Sequence, residues 1–575
     1  MPALWVTRQP APADGLVESL EATGLSHDLA LLLGARGVTS AEAAAAFLSP
    51  AIASLHDPLL LKGMAEAVDL LMAARERGER VAVIGDYDVD GLTATALLVG
   101  VFQAVGIPTH GILPNRHAGG YGPQPRHMQQ SEELGCRLVV TADSGIRAYE
   151  ALAEARRRGL TVIVTDHHLP GAQAVDAAAV INPRQAGCSY PFQDLAGVGL
   201  ALKLAAALLQ RCGREVPWAA LCRMACLGTI ADAAPLIGEN RVLASRGLAA
   251  LAATPSVGLR ALLVEAEVGS PVSAQDVGFR IGPRLNAAGR LGAADPALEL
   301  LLTRDAPRAK ELAAQLGRAN HERRALEKQV VEECAARYAG RVLPQILVGW
   351  SPGWHRGVVG IAAGRLARQF HRPAVLFAVA DGVAVGSGRS VPGVDLYAFL
   401  SGWEGQLERF GGHAQAIGLT TMEGSLAELA AAWESAAAAW RPEDLAATIE
   451  YDQPLALAEV TPELLARLAR LEPYGVGNPE PVFRFGPCRR AGSARAFGAG
   501  HLSFEVRDEG AQPAGSPSRA GAGIEVVAWQ WAERAASGGL FDGAFEMLAV
   551  AEHDHFRNRP RLRLVESRPV SIQSY

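Results

Sequence analysis

The sequence predicts an α/β protein in several parts: a parallel-sheet lobe, a long connecting helix, a smaller α/β lobe and a C-terminal β-barrel of the OB kind. Three observations carry this. From Val81 onward, short apolar runs (VAVIG, CRLVV, LTVIV) each end in a polar cluster and lead into a helical stretch, the alternation of a parallel sheet with helices on both faces. A second such pattern opens at QILVGW. Beyond residue 446, strand-like runs broken by Gly and Pro (PVFRF, HLSFEV, IEVVAW, FEMLAVAE, RPRLRLVE) suit a small barrel.

At 575 residues the chain is too long for one core, and 49% hydrophobic with 20% charged residues marks it as globular. Residues 1–75 read as a helical lead-in, with Leu and Ala at helical spacing in LVESLEATGLSHDLALLLGARG. Residues 76–300 form the parallel-sheet lobe with its following helices, and 301–344, through ERRALEKQVVEECAARY, the connecting helix. Residues 345–445 make the second lobe, with a helix at VGIAAGRLARQF, a strand at AVLFAVA and a Gly-rich DGVAVGSGRS; 446–575 make the barrel. AQPAGSPSRAGAG reads as a flexible loop between two barrel strands.

A net charge of −6 excludes binding of nucleic acid through general basicity but leaves a local basic groove open. Seven cysteines without a C-x-x-C pair fit reduced thiols and no structural zinc. The start, MPALWVTRQP, lacks an apolar run after a basic stretch, and the Ala/Leu stretches are shorter than a membrane span, so a soluble, cytoplasmic protein is expected.

The chemistry concentrates at strand ends. VAVIGDYDVDG closes an apolar strand with Asp86, Asp88 and Asp90, three carboxylates that repel one another unless cations sit among them. A lone D-x-D-x-D is as often a solvated acidic turn. Two further strands of the same sheet end alike, VVTADSG with Asp143 and VIVTDHH with Asp166, His167 and His168. The carboxyl ends of parallel strands lie along one edge, so these clusters should meet. Asp232 follows in CLGTIADAAPL. Carboxylates with imidazole and no thiolate suit Mn²⁺ or Mg²⁺, Mn²⁺ being favoured by the imidazoles. Two ions about 4 Å apart would serve in-line attack on phosphorus.

The order D-x-D-x-D-G, A-D-S-G, D-H-H and G-T-I-A-D resembles the four motifs of the DHH phosphoesterase family. The resemblance implies that Asp86, Asp88, Asp90, Asp143, His167 and Asp232 hold two ions, with Asp143 and Asp232 as bridging candidates. Asp166 would then orient the histidines, and His168 contact the scissile phosphate or the metal. G-W-H-R-G-V-V-G, G-S-G-R-S and F-G-G-H-A resemble the accompanying DHHA1 domain, which implies that His355, Arg356, Arg389, Ser390 and His413 face the first lobe across a cleft and touch substrate; bare Gly-rich turns are the plainer alternative.

F-R-I-G-P-R-L-N-A-A-G-R-L and L-E-P-Y-G-V-G-N-P-E-P-V-F resemble RecJ-type exonucleases. Arg280, Arg284, Asn286 and Arg290 are then candidates for gripping backbone phosphates, against a reading as helix cap and surface ion pairs. The activity implied is metal-dependent 5′→3′ hydrolysis of single-stranded DNA to 5′-mononucleotides, in DNA repair and recombination. The implied partners are single-stranded DNA, with a single-strand-binding protein and a helicase as candidates; a monomer and no membrane are expected. Phosphodiester hydrolysis of short oligonucleotides or cyclic dinucleotides, and a non-catalytic DNA-binding scaffold, are the alternatives. In the barrel, Phe504, Trp529 and Trp531 are either core or stacking platforms for bases, core being the first choice.

Overall fold

The structure, a computed structural model, describes residues 3–8, 13–115, 122–498, 500–509, 523–538, 541–554 and 556–570, without the side chains of 536–538. The expected loop AQPAGSPSRAGAG lies, but for Gly523, outside the described residues. Two compact units emerge: Leu55–Ala234 with Val242–Ala447, and Ala3–Ser54 with Pro235–Arg241 and Thr448–Tyr575.

The first unit holds both α/β lobes. Its parallel sheet has five strands in the order Thr109–Ile112, Arg80–Ile84, Cys136–Ala142, Thr161–Thr165, Ala179–Ile181. Val81, Val83, Val139, Val140, Ile163 and Val164 are fully buried, which is why these strands read as continuous apolar runs and not as alternation. The two edge strands, THGI and AVI, are too short to show a period and escape the sequence reading. Helices Pro125–Glu133 and Tyr149–Arg157 cover one face; Val89–Ala104, packed on Gly197–Arg211 and Trp218–Ala231, covers the other. Numbered along the chain, the strand order is 2-1-3-4-5, so the order reverses between the first and third strands, where open α/β sheets bind ligands.

The helix Ala306–Tyr338 is continuous over 33 residues. Leu312 and Leu316 belong to the core of the first lobe, Val330 and Cys334 to that of the second, so one rigid element serves both. The second lobe is a mixed sheet in the order Arg409–His413, Ala416–Met422, Val383–Arg389, Ala374–Ala380, Leu347–Ser351. The Gly-rich GSGR is therefore a central strand, paired on both sides, and not a turn.

In the second unit, Phe483–Phe497, His501–Asp508, Ile524–Ala528, Arg559–Pro569 and Phe545–Asp554 pair in sequence, and the last pairs back with the first to close a barrel. The lead-in differs from expectation. Leu4–Thr7 is a strand, parallel to Thr448–Tyr451. Leu20, Leu29 and Leu33 share one core with Phe483, Phe485 and Met547 of the barrel, whereas Met64–Arg77 belongs with the first unit. Lead-in and barrel sides are joined by a contact spanning most of the chain, which local periodicity cannot reveal. Among the described residues, no single helix is long and apolar enough to cross a membrane.

Candidate metal centre

The sheet register brings the acids together. Ile84 pairs with Thr141, and Thr141 with Val164. Two residues beyond each lie Asp86, Asp143 and Asp166, in one row at the carboxyl edge. Asp143 has φ of +61°, a conformation that side chains other than Gly, Asn and Asp rarely adopt, and such strain collects at functional turns.

Three overlapping groups result, each with ligand atoms within 4.8 Å of one another: Asp86, Asp88 and Asp143; Asp143, His167 and His168; Asp90, His167 and Asp232. His167 Nε2 lies 3.1 Å from Asp143 Oδ1 and 3.9 Å from both Asp90 Oδ2 and Asp232 Oδ2. That nitrogen is buried and makes no hydrogen bond among the described residues, as a ring nitrogen reserved for a cation would be. Asp143 and His167 are each common to two groups, and a donor set of carboxylates and imidazole without thiolate fits two hard or borderline divalent ions, Mn²⁺ or Mg²⁺.

Electrostatics agree. Burial, then the neighbouring charges of Asp232 and Asp88, hold Asp90 well above the usual carboxylate range. Burial, then Asp90, Asp88 and Asp86, does the same to Asp143. Asp232 rises to about 7 through burial and Asp88. So many acids cannot all ionise unless cations are present. His167 falls to about 4, chiefly by burial and then by His168, so its ring is neutral and able to ligate at physiological pH.

The acids of the first motif divide their labour. Asp88 caps its own helix, accepting from Gly91 N–H at 3.1 Å. Asp90 accepts from Gly197 N–H at 2.7 Å and Val198 N–H at 2.8 Å, which fixes its carboxylate at the N-terminus of Gly197–Arg211. Asp166 accepts from Ile146 N–H at 2.9 Å, from His168 N–H at 2.9 Å, and bonds His168 Nδ1 at 2.7 Å. Burial pushes Asp166 up, but these bonds and the His168 charge win, and its pKa falls. It thus orients His168 alone among the two histidines. His168 is 45% exposed at its side chain, at the open side of the cluster.

Three glycines make the cluster sterically possible, two of them inside the acidic motifs (Gly91 in D-x-D-x-D-G and Gly228 in G-T-I-A-D) and one, Gly197, outside them. A Cβ on Gly91 would stand 2.4 Å from Asp86 N, one on Gly197 2.5 Å from Asp143 Oδ1, and one on Gly228 2.6 Å from Asp90 Oδ1. For Gly228 the sequence signal is a lone glycine inside an apolar helix, CLGTI.

The other expected residues spread out. Asn286 and Arg290, on the helix Gly282–Leu291, line a cavity of about 130 Å³ with Ala231, Arg323 and Ile361. That helix touches both lobes: a Cβ on Gly282 would lie 3.6 Å from Ala231 Cβ, Gly289 packs on Tyr87, and Gly357 of the second lobe meets Arg290 O. Arg284 Nη1 donates to Arg280 O at 2.7 Å, and burial lowers its pKa. Arg280 turns away, bonded to Asp276 at 3.3 Å and to Glu267 O at 2.5 Å, which is the ion-pair alternative. His355 Nδ1 accepts from Gly357 N–H at 3.1 Å, next to exposed Arg356. Arg389 bonds Ser387 Oγ and Gly388 O, both at 2.8 Å, and lies on the helix Val359–Phe370 where Gly360 and Gly364 leave room. Ser390 donates to Val394 O at 2.7 Å, and His413 is exposed on the edge strand.

In the barrel, Phe504 and Trp531 are 3% and 7% exposed and belong to the core. Trp529 is 46% exposed, flanked by Phe497 and His501, at a cavity of about 590 Å³ that Arg495, Arg557 and Arg559 also line.

Comparison with known proteins decides the family. Residues 80–229 match the DHH family, N-terminal domain; 343–439 match the DHHA1 domain; 451–566 match the RecJ OB domain. The chain is 37% identical over 532 residues to the single-stranded-DNA-specific exonuclease RecJ of Dickeya dadantii, covering 88% of this chain and 90% of that one. It belongs to the RecJ family. The Bacillus subtilis RecJ is 38% identical over 472 residues, 81% of this chain, which spans 59% of that relative's length. The crystal structure of RecJ in complex with Mn²⁺ from Thermus thermophilus superimposes with a TM-score of 0.82 at 32% identity, covering 98% of this chain and 79% of that one. A RecJ structure from the same source is in complex with Mg²⁺. The Mn²⁺ and Mg²⁺ of these relatives are the ions that the donor set selects here on chemical grounds.

Proposed function

We propose that this chain is a metal-dependent exonuclease that degrades single-stranded DNA from the 5′ end and releases 5′-mononucleotides, in DNA repair and recombination. The observation that carries the reading is the set of three overlapping Asp/His groups sharing Asp143 and His167 at the switch point of a parallel sheet. RecJ relatives named as single-stranded-DNA-specific exonucleases support the substrate.

On this reading Asp86, Asp88 and Asp143 would hold one divalent ion and Asp90, His167 and Asp232 the other, Asp143 and His167 each being common to two of the three groups. Such a pair of ions supplies Lewis acidity, making water a nucleophile at neutral pH and offsetting charge on phosphoryl oxygens. Asp166 keeps His168 oriented beside the phosphate and favours its protonated form: burial alone would lower the His168 pKa, yet the bond to Asp166 raises it. Asn286, Arg290 and Arg284 hold strand phosphates, while Arg389, with His355, Arg356, Ser390 and His413 around the same lobe, reads the terminal 5′ phosphate. Trp529 offers a stacking platform. A monomer working in the cytoplasm, supplied with strands by a helicase and a single-strand-binding protein, completes the proposal.

End-labelled single and double strands, incubated with and without Mn²⁺, test it. Single strands alone should shorten from the 5′ end, only with the ion, and a dinucleotide should be a poorer substrate than a long strand. Asp143→Ala should abolish hydrolysis and spare strand binding; retained nuclease activity would overturn the assignment.

A further inference from the structure

Phe279 stands out among the exposed residues of the first unit: it is 81% exposed and lies within a π-helical turn, Val277–Ile281, that runs directly into the cavity-lining helix Gly282–Leu291. Single π turns inside helices cost regular hydrogen bonding and collect at functional sites. An exposed phenyl ring likewise gains nothing for folding.

Its position along the helix is informative. Pro283, Asn286 and Arg290 line the 130 Å³ cavity together with Gly278 and Arg323. They follow Phe279 at spacings that keep to one helical face, and the wide π turn brings the ring round to a place directly one turn ahead of Pro283. Phe279 therefore continues the cavity-lining stripe outward into solvent. Beside it, a Cβ on Gly278 would meet nothing within 4 Å, so the space next to this backbone is open. Its other neighbour, Arg280, is tied back to Asp276 and Glu267, which fixes the turn and keeps the guanidinium out of the way. Inward along the stripe lie cations suited to phosphate: Arg290, and Arg323, whose side chain is 12% exposed and held by Asn320 at 3.2 Å and Glu327 at 3.1 Å. Further in, Ala231 lines the same cavity and immediately precedes Asp232 of the metal centre.

We propose that Phe279 and the open space over Gly278 form a slot that stacks one base of the incoming strand at the mouth of this cavity, while Arg290 and Arg323 take the phosphates that follow it toward the ions. The inference rests on the strand-degrading reading above. It adds a base contact that tolerates any sequence, because every base presents a flat face, and that a paired base, stacked within its duplex, cannot make. The slot thus contributes to the choice of single strands.

The full chain carrying Asp143→Ala, with Mn²⁺ present, is titrated into single strands bearing 2-aminopurine at successive positions from the 5′ end. One position should be quenched on binding. Adding Phe279→Ala should restore its emission and weaken binding about 5- to 100-fold, the equivalent of about 1–3 kcal/mol for one stacked base. Phe279→Trp should keep both the quench and the affinity, and melting temperatures of all variants should agree, since the ring is exposed. Unchanged affinity and emission in Phe279→Ala would overturn the slot and leave Phe279 as a surface for a protein partner. Equal losses in the Ala and Trp variants would also overturn it. Strand cleavage by Asp143→Ala itself would instead strike the metal-centre assignment, a separate failure.

Discussion

Gly197→Ala adds a single methyl group, and the structure says where it goes. The ideal Cβ would stand 2.5 Å from both Cβ and Oδ1 of Asp143 and 2.7 Å from its Cγ. Restoring a 3.4 Å contact requires a shift of about 0.9 Å. Asp143 is 2% exposed and held on a strained turn, and Gly197 is itself fixed by its bond to Asp90, so neither side yields freely. Overpacking of this kind costs about 1–3 kcal/mol, part of it returned because Ala suits a helix better than Gly. Stability should therefore fall by no more than about 2 kcal/mol. Function should fall much further, since metal–ligand distances tolerate only about 0.2 Å. Displacing a carboxylate common to two metal groups should weaken Mn²⁺ binding at least as much as loss of an outer supporting bond does, about 10- to 100-fold, with nuclease activity falling alongside. Mn²⁺ titration followed by electron paramagnetic resonance, paired with strand digestion and thermal melts, measures all three. A variant that melts normally and keeps Mn²⁺ affinity and activity within about twofold would refute the claim that glycine is required there for room.

Four further outcomes follow from the same geometry. The raised pKa of Asp232, about 7, means that the folded, metal-free protein keeps a proton which the unfolded chain releases near the ordinary carboxylate value of 3.8; stability is lost as pH rises between these values, on the order of 2–4 kcal/mol once screening at a side chain 29% exposed is allowed for. Mn²⁺ should accordingly raise the melting temperature more at about pH 8 than at about pH 5, as scanning calorimetry would record. Asp166→Asn should return the His168 pKa toward or below 6.5 in an NMR titration and slow hydrolysis about 10- to 100-fold while both ions still bind. Arg389→Ala should weaken the preference for 5′-phosphorylated over unphosphorylated ends more than it slows bond cleavage; an unchanged preference counts against that placement. Trp531→Ala should cost about 3–5 kcal/mol of barrel stability by denaturant unfolding, whereas Trp529→Ala should leave stability nearly unchanged and reduce strand affinity.

What the sequence made legible was chemistry anchored to a local pattern. An apolar strand that ends in acids announces both the strand and an acidic cluster, and the parallel register that aligns Ile84, Thr141 and Val164 then brings the acids together. Partners separated by long stretches of chain left no such trace. Leu4–Thr7 pairs with Thr448–Tyr451, so the lead-in could be read as helical but not as a cover for the barrel. Arg280 and Arg290 look alike in a motif of arginines and glycines, yet Arg280 bonds Asp276 and Glu267 while Arg290 lines the cavity.

The same limit explains why D-x-D-x-D cannot be parsed by spacing. Asp88 and Asp90 differ by which backbone N–H groups reach them: one accepts from its own helix, the other from a helix more than a hundred residues later. Those N–H groups answer a physical problem that the acids create. Buried carboxylates this close repel one another, and without ions they would swing apart or protonate. Backbone donors at two helix N-termini, and Ile146 and His168 at Asp166, give the outer acids a fixed partner whether or not ions are bound. The cluster can then stay assembled while it waits for metal, and ion binding can neutralise charge without also having to order the ligands.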